Sequence, residues 1–288
     1  MARAPGHRLG QIIGNELEAA VEPLLRAFAE EHKLYLDKKG PRLTRPRRVK
    51  VVWTDALGNA HELDYVLERG GTNSKVGAPA AFIETAWRRY TKHSRNKAQE
   101  IQGAVSALLE RYRHVKPFAG VVLAGVFTDG SLDQLRSNGF SVVHIPYGTV
   151  VDIFNKFGID ISAEESTSDE QVQEQVRRYD SLDQTERRVL RAALRHAVSD
   201  QLHDFTTKLT MTVLRHVESV SVVPLHGRPQ TFDDVLAAIE MIRGYGGVAD
   251  LPLPLIRLEV IVRYSNDDRI VAEFGQAEDA VNFLDSFR

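Results

Sequence analysis

The sequence predicts an α/β domain followed by a smaller α+β unit, and three observations lead to this prediction. An apolar periodicity of 3.6 residues from about Arg8 to Glu31 indicates a long amphipathic helix. Strand-like and helical segments then alternate up to about Ile161. After the polar, acidic stretch 162–171, helical segments precede a pattern of strand, helix, strand, strand and helix. We therefore place the domain boundary between residues 161 and 162.

The predicted elements of the first domain follow the order α-β-β-β-α-β-α-β-α. They are a helix at 8–31, strands at 49–53, 62–67 and 80–87, a helix at 94–112, a strand at 120–127, a helix at 131–137, a strand at 140–145 and a helix at 149–157. Turn formers between the first two strands predict a hairpin. The third strand is mostly apolar, which is typical of a central position in a sheet.

The predicted elements of the second domain begin with a helix at the capping-box pattern from Asp183 to Glu186. They continue with a second helix at 204–217, a strand at 217–223, a helix at 232–242, strands at 254–264 and 269–274, and a helix at 278–287. Residues 162–288 are thus expected to form a helical linker and an α+β domain.

The composition excludes several classes of function. With 43% hydrophobic residues and a formal net charge of −2, the 288-residue chain has no global basic signature of nucleic-acid binding. The absence of cysteine excludes disulfides, thiolate zinc sites and cysteine nucleophiles. No apolar run is long enough to span a membrane, so we expect no membrane partner and a cytoplasmic location. Motifs of P-loop, Rossmann and Ser-hydrolase enzymes are also missing.

Two carboxylates lie in neighbouring predicted strands. Asp64 is in the strand 62–67 and Glu84 is in the apolar strand 80–87. Sequential strands are usually adjacent in a sheet, so these acids can converge. Converging carboxylates repel, and a hard cation such as Mg²⁺ relieves that repulsion. The alternative is that both acids lie at strand ends or on a solvated face, which suits Glu84 less because a central strand leaves little water around it.

Two clusters of positive charge flank these strands. Residues 38–50 contain seven Lys or Arg, and residues 88–97 contain five together with one histidine. Basic side chains bind nucleic-acid phosphates without reading sequence, although such clusters are also common on solvated surfaces. The candidate DNA-binding residues are Arg45, Arg47, Arg48, Arg88, Arg89, Lys92, His93 and Arg95.

The order of the predicted elements is a helix, a hairpin with Asp64, a strand with Glu84, a helix, a strand, a helix and a strand. This order resembles the PD-(D/E)XK nuclease superfamily, in particular type II restriction endonucleases. The resemblance covers roughly residues 7–157 and rests on element order and on the two acids. It implies a restriction-endonuclease-like mixed sheet flanked by helices. It also implies Mg²⁺-dependent hydrolysis of DNA phosphodiesters, with Asp64 and Glu84 as metal ligands.

The sequence departs from the pattern of this superfamily at one position. Members carry a lysine two residues beyond the glutamate, and this position is Ala86 here. Some members take the lysine from elsewhere in space, and others are inactive. Lys97, in the helix after the Glu84 strand, is our candidate for the catalytic lysine, with a solvent-facing role as the alternative. Lys92 is a second candidate, more suited to a phosphate contact.

The first helix supplies a further expectation. Many members of the superfamily carry a glutamate there, close to the metal. Glu16 lies on the border of the apolar face, whereas Glu18 points away from it. Glu16 is therefore the expected third acid, and an ordinary boundary glutamate is the alternative. Gly10 and Gly14, one turn apart in the same helix, predict close approach of another backbone or of DNA, because glycine is unfavourable inside a helix.

The resemblance predicts a metal-dependent endonuclease that cuts double-stranded DNA as a homodimer, in a restriction or other anti-phage system. Residues 162–288 would provide dimerisation or DNA recognition. Ala86 leaves open a catalytically inactive DNA-binding module with the same architecture. A third possibility is an interaction protein whose basic clusters bind an acidic partner.

Overall fold

The computed structural model describes residues 5–46, 49–162, 167–225, 227–245 and 257–287, without the side chains of residues 91–93. The chain divides into two compact units, Met1–Leu209 and Thr210–Arg288, called here the N-terminal and the C-terminal unit. Among the described residues, no helix combines the length and the apolar character needed to cross a membrane.

The N-terminal unit is a mixed α/β structure. Its described elements are α1 (Pro5–Glu31), β1 (Leu34–Lys38), β2 (Val51–Thr54), β3 (Ala60–Leu63), β4 (Tyr65–Arg69), β5 (Ala78–Arg88), α2 (Thr91–Arg111), β6 (Phe118–Gly125), α3 (Asp129–Ser137), β7 (Ser141–Pro146), α4 (Tyr147–Asn155), α5 (Asp169–Ser181), α6 (Gln184–His196) and α7 (Ser199–Val213), whose last residues belong to the C-terminal unit.

A five-stranded sheet in the order β1-β4-β5-β6-β7 forms the centre of this unit. β1, β4 and β5 are antiparallel neighbours, whereas β5, β6 and β7 are parallel, so the sheet is mixed. Helices α1 and α4 pack on one face, and α2 and α3 pack on the other. The predicted α/β class, with a mixed sheet flanked by helices, is confirmed.

The central strands are buried on both sides, which explains their composition. All eight residues of β6 are buried, and so are the nine residues from Pro79 to Trp87 in β5. A strand covered by helices on both faces needs a continuous apolar run rather than an alternating one. Within that run, Glu84 and Thr85 are the polar residues, so Glu84 is the ionisable group that this strand carries into the interior.

The second predicted strand is interrupted at Asp64. Residues before it form β3, which pairs with β2 in a two-stranded hairpin, and residues after it form β4 in the main sheet. Asp64 itself lies in a bend between the two strands. The hairpin contributes Val51, Trp53 and Leu63 to the apolar core beneath α2. This break places Asp64 where the chain leaves one sheet and enters the other.

The N-terminal unit continues past the boundary predicted at residue 161. Helices α5 and α6 pack on α1, and a ring contact joins Phe205 of α7 to Phe118 of β6. Helix α5 was not predicted, because its buried stripe consists only of Val172, Val176 and Tyr179 among charged neighbours. Strand β1 was also missed, because it is short and runs into the basic segment that begins at Lys38.

A buried ion network closes the β1 edge of the sheet. The guanidinium of Arg42 lies 2.8 Å from Asp37 on β1 and 2.6 Å from Glu68 on β4. It also donates to the carbonyls of Thr72 and Lys75 in the loop that follows β4. All three ionisable side chains are almost fully buried, so the carboxylates depend on Arg42 for neutralisation.

The C-terminal unit is the expected α+β structure. Its described elements are β8 (Val217–Pro224), β9 (Gln230–Phe232), α8 (Val235–Tyr245), β10 (Leu258–Tyr264), β11 (Arg269–Phe274) and α9 (Ala277–Asp285). The strands form an antiparallel sheet in the order β11-β10-β8-β9. Val220, Val222, Val260 and Val262 point to one face, where α8 and α9 form the core of the unit.

Candidate active site

Strand pairing between β4 and β5 brings Asp64 and Glu84 together. The backbone N–H of Asp64 donates to Oε1 of Glu84 at 3.0 Å. In return, the backbone N–H and the hydroxyl of Thr85 both donate to Oδ2 of Asp64 at 2.8 Å. These reciprocal bonds extend the register in which Tyr65 lies opposite Ile83. The structure thus holds the two predicted acids next to each other, Glu84 in β5 and Asp64 in the bend that precedes β4.

The environment of Glu84 opposes its ionisation. Its side chain shares a face of β5 with Phe82 and Ala86, and the residue is 7% exposed. Burial, followed by the nearby charge of Asp64, raises the pKa of Glu84 to about 8. The positive charge of Lys97 and the Asp64 N–H act in the opposite direction but do not cancel this effect. At neutral pH, the carboxyl group therefore favours a proton, or a cation in its place.

Each of the two carboxylates has an oxygen available for a ligand. Oδ2 of Asp64 and Oε1 of Glu84 accept the hydrogen bonds that connect the strands. No described residue donates a hydrogen bond to Oδ1 of Asp64 or to Oε2 of Glu84, and neither atom is completely buried. The strands therefore fix the position of both acids while leaving one oxygen of each free to bind.

Lys97 lies within electrostatic range of Glu84. It is in the second turn of α2, since the helix begins at Thr91 and not after Ser94. Its ammonium group donates to Glu100 at 2.7 Å, and the side chain is 17% exposed. Because the charge of Lys97 lowers the pKa of Glu84, the two groups interact electrostatically. The solvent-facing alternative does not describe this position.

A cleft of about 460 Å³ is lined by Lys97 and by the residues that follow Glu84 in β5, although not by Asp64 or Glu84 themselves. Its walls come from α1, from the end of β5 and from α2, and they are formed by Gly6, His7, Gly10, Gln11, Gly14, Asn15, Glu18, Thr85, Ala86, Trp87, Arg88 and Lys97. A second cleft of about 410 Å³ is lined by Trp87, Arg88, Arg89, Asn96, Lys97 and Glu100. Trp87, Arg88 and Lys97 line both clefts and so connect them.

The acid that α1 contributes is Glu18, and Glu16 lies elsewhere. Glu16 is 1% exposed, and its carboxylate accepts from Arg191 on α6 and from the hydroxyl of Tyr179 on α5. The apolar border of α1 faces these helices, so Glu16 serves as an internal ion-pair partner. Burial and the charge of Asp64 raise the pKa of Glu18, which places Glu18 within electrostatic range of the candidate site.

A sequence signal for Glu18 was available. Gly6, Gly10, Gly14 and Glu18 are spaced four residues apart, so they follow one another along the same side of α1. All four line the cleft. The border of the apolar face indicated Glu16, whereas the row of Gly6, Gly10 and Gly14, called here the glycine stripe, indicated Glu18. In the structure, Glu18 is the acid that lines the cleft.

Of the described basic residues between 88 and 97, Arg88, Arg89 and Lys97 line the clefts. Arg88 lines both clefts and donates to the carbonyl of Trp87 at 2.7 Å. Arg89 is half-buried, with its guanidinium 5.5 Å from the centre of the Tyr90 ring. Arg95 is exposed on α2. The backbone of Lys92 and His93 belongs to α2, and their side chains lie outside the described part of the structure.

The second basic cluster is only partly available for binding. Arg45, predicted to contact DNA, makes a salt bridge with the buried Asp37 at 2.5 Å, and its side chain is 14% exposed. It therefore extends the Arg42 network and serves the fold. Arg47 and Arg48 lie outside the described residues.

The two acids could supply only part of the coordination shell of a metal ion. In the described part of the chain, no group of three or more His, Cys, Asp or Glu side chains is arranged to hold a metal ion. Mg²⁺, however, keeps several of its waters and is commonly bound by one or two carboxylates together with substrate phosphates. The free oxygens of Asp64 and Glu84 meet that requirement, since a cation would also offset the repulsion between them.

The raised pKa of Glu84 predicts a specific pH dependence of stability. Folded Glu84 keeps its proton up to about pH 8, whereas the unfolded group loses it near its ordinary value of about 4.5. The stability that the neutral form contributes is present below about pH 4.5 and is lost as the pH rises towards 8. Without added metal, the free energy of unfolding of Glu84→Gln at pH 9 should therefore exceed that of the wild type by a few kcal/mol.

The difference in free energy of unfolding between Glu84→Gln and the wild type should decrease to zero as the pH is lowered towards 4.5. Chemical denaturation of both proteins between pH 4.5 and 9 measures it. Glu62→Gln is the matched control, since its side chain is 60% exposed and should show no such trend. A constant difference between Glu84→Gln and wild type across this range would contradict the burial argument.

Comparison with known proteins gives little further information. No protein-family model matches the chain, and no curated protein matches it. Among solved structures, it is similar to the crystal structure of a protein of unknown function, AF1548, with 12% sequence identity and a TM-score of 0.25. The similarity covers 64% of this chain and 99% of that one. A TM-score this low establishes neither a shared fold nor a shared function.

Proposed function

We propose that the N-terminal unit is a Mg²⁺-dependent nuclease that hydrolyses phosphodiester bonds of double-stranded DNA. The observation that carries this proposal is the pair of adjacent carboxylates, Asp64 and Glu84, with Lys97 beside them. Two adjacent acids and a lysine are also the elements expected from the resemblance to the PD-(D/E)XK superfamily. The mixed sheet flanked by helices is compatible with a restriction-endonuclease-like fold.

Asp64 and Glu84 would hold the Mg²⁺ through their free oxygens. When bound, this ion would polarise a phosphoryl oxygen and lower the pKa of a coordinated water. Lys97 would place a positive charge beside the phosphate, where negative charge develops during the reaction. Lys97 would thereby replace the lysine that members of the superfamily carry at the position of Ala86. The buried surroundings of Glu84 strengthen these electrostatic effects because little water screens them.

The residues around the clefts would position the DNA backbone. Arg88 and Arg89 supply fixed positive charge next to Lys97, and guanidinium groups bind phosphates in a bidentate manner. Glu18, on the opposite wall, adds negative charge close to Asp64. A cation bound between these acids and the phosphate would therefore face carboxylates on one side and basic side chains on the other.

The glycines of α1 provide room for this approach. A Cβ atom built on Gly6, Gly10 or Gly14 would meet no atom of the described protein within 4 Å. Internal packing therefore does not require glycine at these positions, although each glycine inside a helix costs about 1 kcal/mol relative to alanine. A ligand that comes close to the backbone of α1 would explain why the cost is tolerated.

Ala86 supports a second candidate, a DNA-binding module without catalysis. The usual lysine of the superfamily would stand at Ala86, on the strand that carries the glutamate, whereas the proposed replacement, Lys97, lies on α2. The ion pair of Lys97 with Glu100 reduces its freedom to reach a phosphate. Binding without cleavage in Mg²⁺ or Mn²⁺ would favour this second candidate. Homodimerisation, a cytoplasmic location and a role in restriction or anti-phage defence remain predictions.

Removing either acid should abolish cleavage. We expect Asp64→Asn and Glu84→Gln each to lower the rate of Mg²⁺-dependent cutting of plasmid or phage DNA at least about a hundredfold, because each removes a ligand of the metal. Glu62→Gln should cut like the wild type. Gel analysis of the products, with sequencing of the ends, measures the activity. If either variant cuts at the wild-type rate, Asp64 and Glu84 are not the metal ligands of a nuclease.

Replacing a glycine of the glycine stripe by alanine should stabilise the fold and weaken DNA binding at the same time. Gly10→Ala should raise the free energy of unfolding by about 1 kcal/mol and weaken DNA binding several-fold. Gly103→Ala is the matched control, because Gly103 lies in α2, is exposed and does not line the cleft. It should give the same stabilisation with unchanged binding. Fluorescence anisotropy with labelled duplex DNA tests both, and equal affinities would contradict the proposed approach to α1.

A further inference from the structure

The C-terminal unit has one sheet face that its own helices do not cover. Helices α8 and α9 pack on the face that carries Val220, Val260 and Val262. The alternate residues of β10 and β11 form the opposite surface, called here the open sheet face: Glu259, Ile261, Arg263, Arg269, Val271 and Glu273. Val271 is 50% exposed, and Ile261 is half-buried. Apolar side chains thus occupy the middle of a surface that reaches solvent.

The charges on this face are arranged in like-charged pairs. The β10–β11 register places Glu259 directly opposite Glu273 at one end and Arg263 directly opposite Arg269 at the other. Ile261 and Val271 lie opposite each other between them. Like charges in directly opposed positions of a sheet repel and destabilise it. The isolated unit therefore carries an unfavourable pair at each end of the face.

Little within the described chain relieves this repulsion. Arg257 lies 3.4 Å from Glu273, but both side chains are more than half exposed, so this contact contributes little. Glu259, Arg263 and Arg269 make no salt bridge with any described residue. The face therefore has Glu259 and Glu273 at one end, with Arg257 beside Glu273, and two arginines at the other end. The first end carries a net negative charge and the second a positive one, so the two ends are complementary in charge.

We propose that this open sheet face binds a second copy of the chain. A two-fold axis running across the strands at the level of Ile261 would exchange the two ends of the face. Arg263 and Arg269 of one copy would then oppose Glu259 and Glu273 of the other, and Ile261 and Val271 would meet their own equivalents. Each like-charged pair would then face a pair of opposite charge on the other copy. The two sheets would lie about 10 Å apart, a distance that glutamate and arginine side chains from both sheets can span together.

Charge complementarity favours a second copy over other occupants. A nucleic acid would be attracted by the arginine end and repelled by the acidic end, and the face carries no aromatic side chain for base stacking. Four strands of about six residues provide a face of roughly 400 Å², which is small for an interface. We therefore expect a dissociation constant in the micromolar range that rises with salt. This inference gives the predicted homodimer an interface, and the interface itself does not require nuclease activity.

Charge-reversed variants test the proposal with the full-length protein. Arg263→Glu with Arg269→Glu places acids at both ends of the face, and Glu259→Arg with Glu273→Arg places arginines at both ends. Each double variant alone should lose the dimer, with a dissociation constant raised at least tenfold. A one-to-one mixture of the two should restore dimerisation. Arg228→Glu with Arg243→Glu is the matched control, because it changes the net charge equally at exposed positions outside this face.

Sedimentation velocity between about 1 and 200 µM measures the association, with circular dichroism to confirm folding. The proposal requires a wild-type dimer that weakens at high salt, monomeric double variants, a control that dimerises like the wild type, and a mixture that recovers the dimer. A wild-type protein that stays monomeric at about 200 µM would overturn it. So would double variants that dimerise like the wild type, or a mixture that stays monomeric.

Discussion

The candidate site depends on one constraint, the pairing of β4 with β5. This pairing places the amide of Asp64 on the carboxyl group of Glu84 and the amide and hydroxyl of Thr85 on the carboxylate of Asp64. Two acids that would otherwise separate are thereby fixed in contact, one of them in a strand buried on both sides. Burial and the nearby charge of Asp64 raise the pKa of Glu84 to about 8, so a proton or a cation stabilises this arrangement.

Much of this arrangement was accessible from the sequence. The apolar runs predicted the central strands, and the position of Asp64 and Glu84 in neighbouring strands predicted that they converge. Gly10 and Gly14 indicated the side of α1 that lines the cleft. These predictions hold because they rest on local periodicity and on adjacency of sequential strands, which are properties of short segments. The role of the site in hydrolysis stays a proposal.

What the sequence could not predict depends on contacts between distant segments. Glu16 and Glu18 are two residues apart, and only the packing of α5 and α6 on α1 decides which of them faces Asp64. From the sequence, Arg45 is one of several basic residues expected at the surface, whereas in the structure it forms a salt bridge with the buried Asp37. Strand β1 is too short to be recognised by pattern. For Glu16 the partner is a residue more than 100 positions away, and for Arg45 it is a buried charge.

The protonation state of Glu84 tests the central claim most directly. Carbon-13 NMR of labelled glutamate side chains, with Glu84→Gln to assign the resonance, reports the pKa of this one carboxyl group. Without metal, the account predicts a pKa of about 8, and with about 10 mM Mg²⁺ a decrease of roughly one to three units, as expected for a cation next to a carboxylate. A pKa near the ordinary value without metal, or one that Mg²⁺ leaves unchanged, would contradict it.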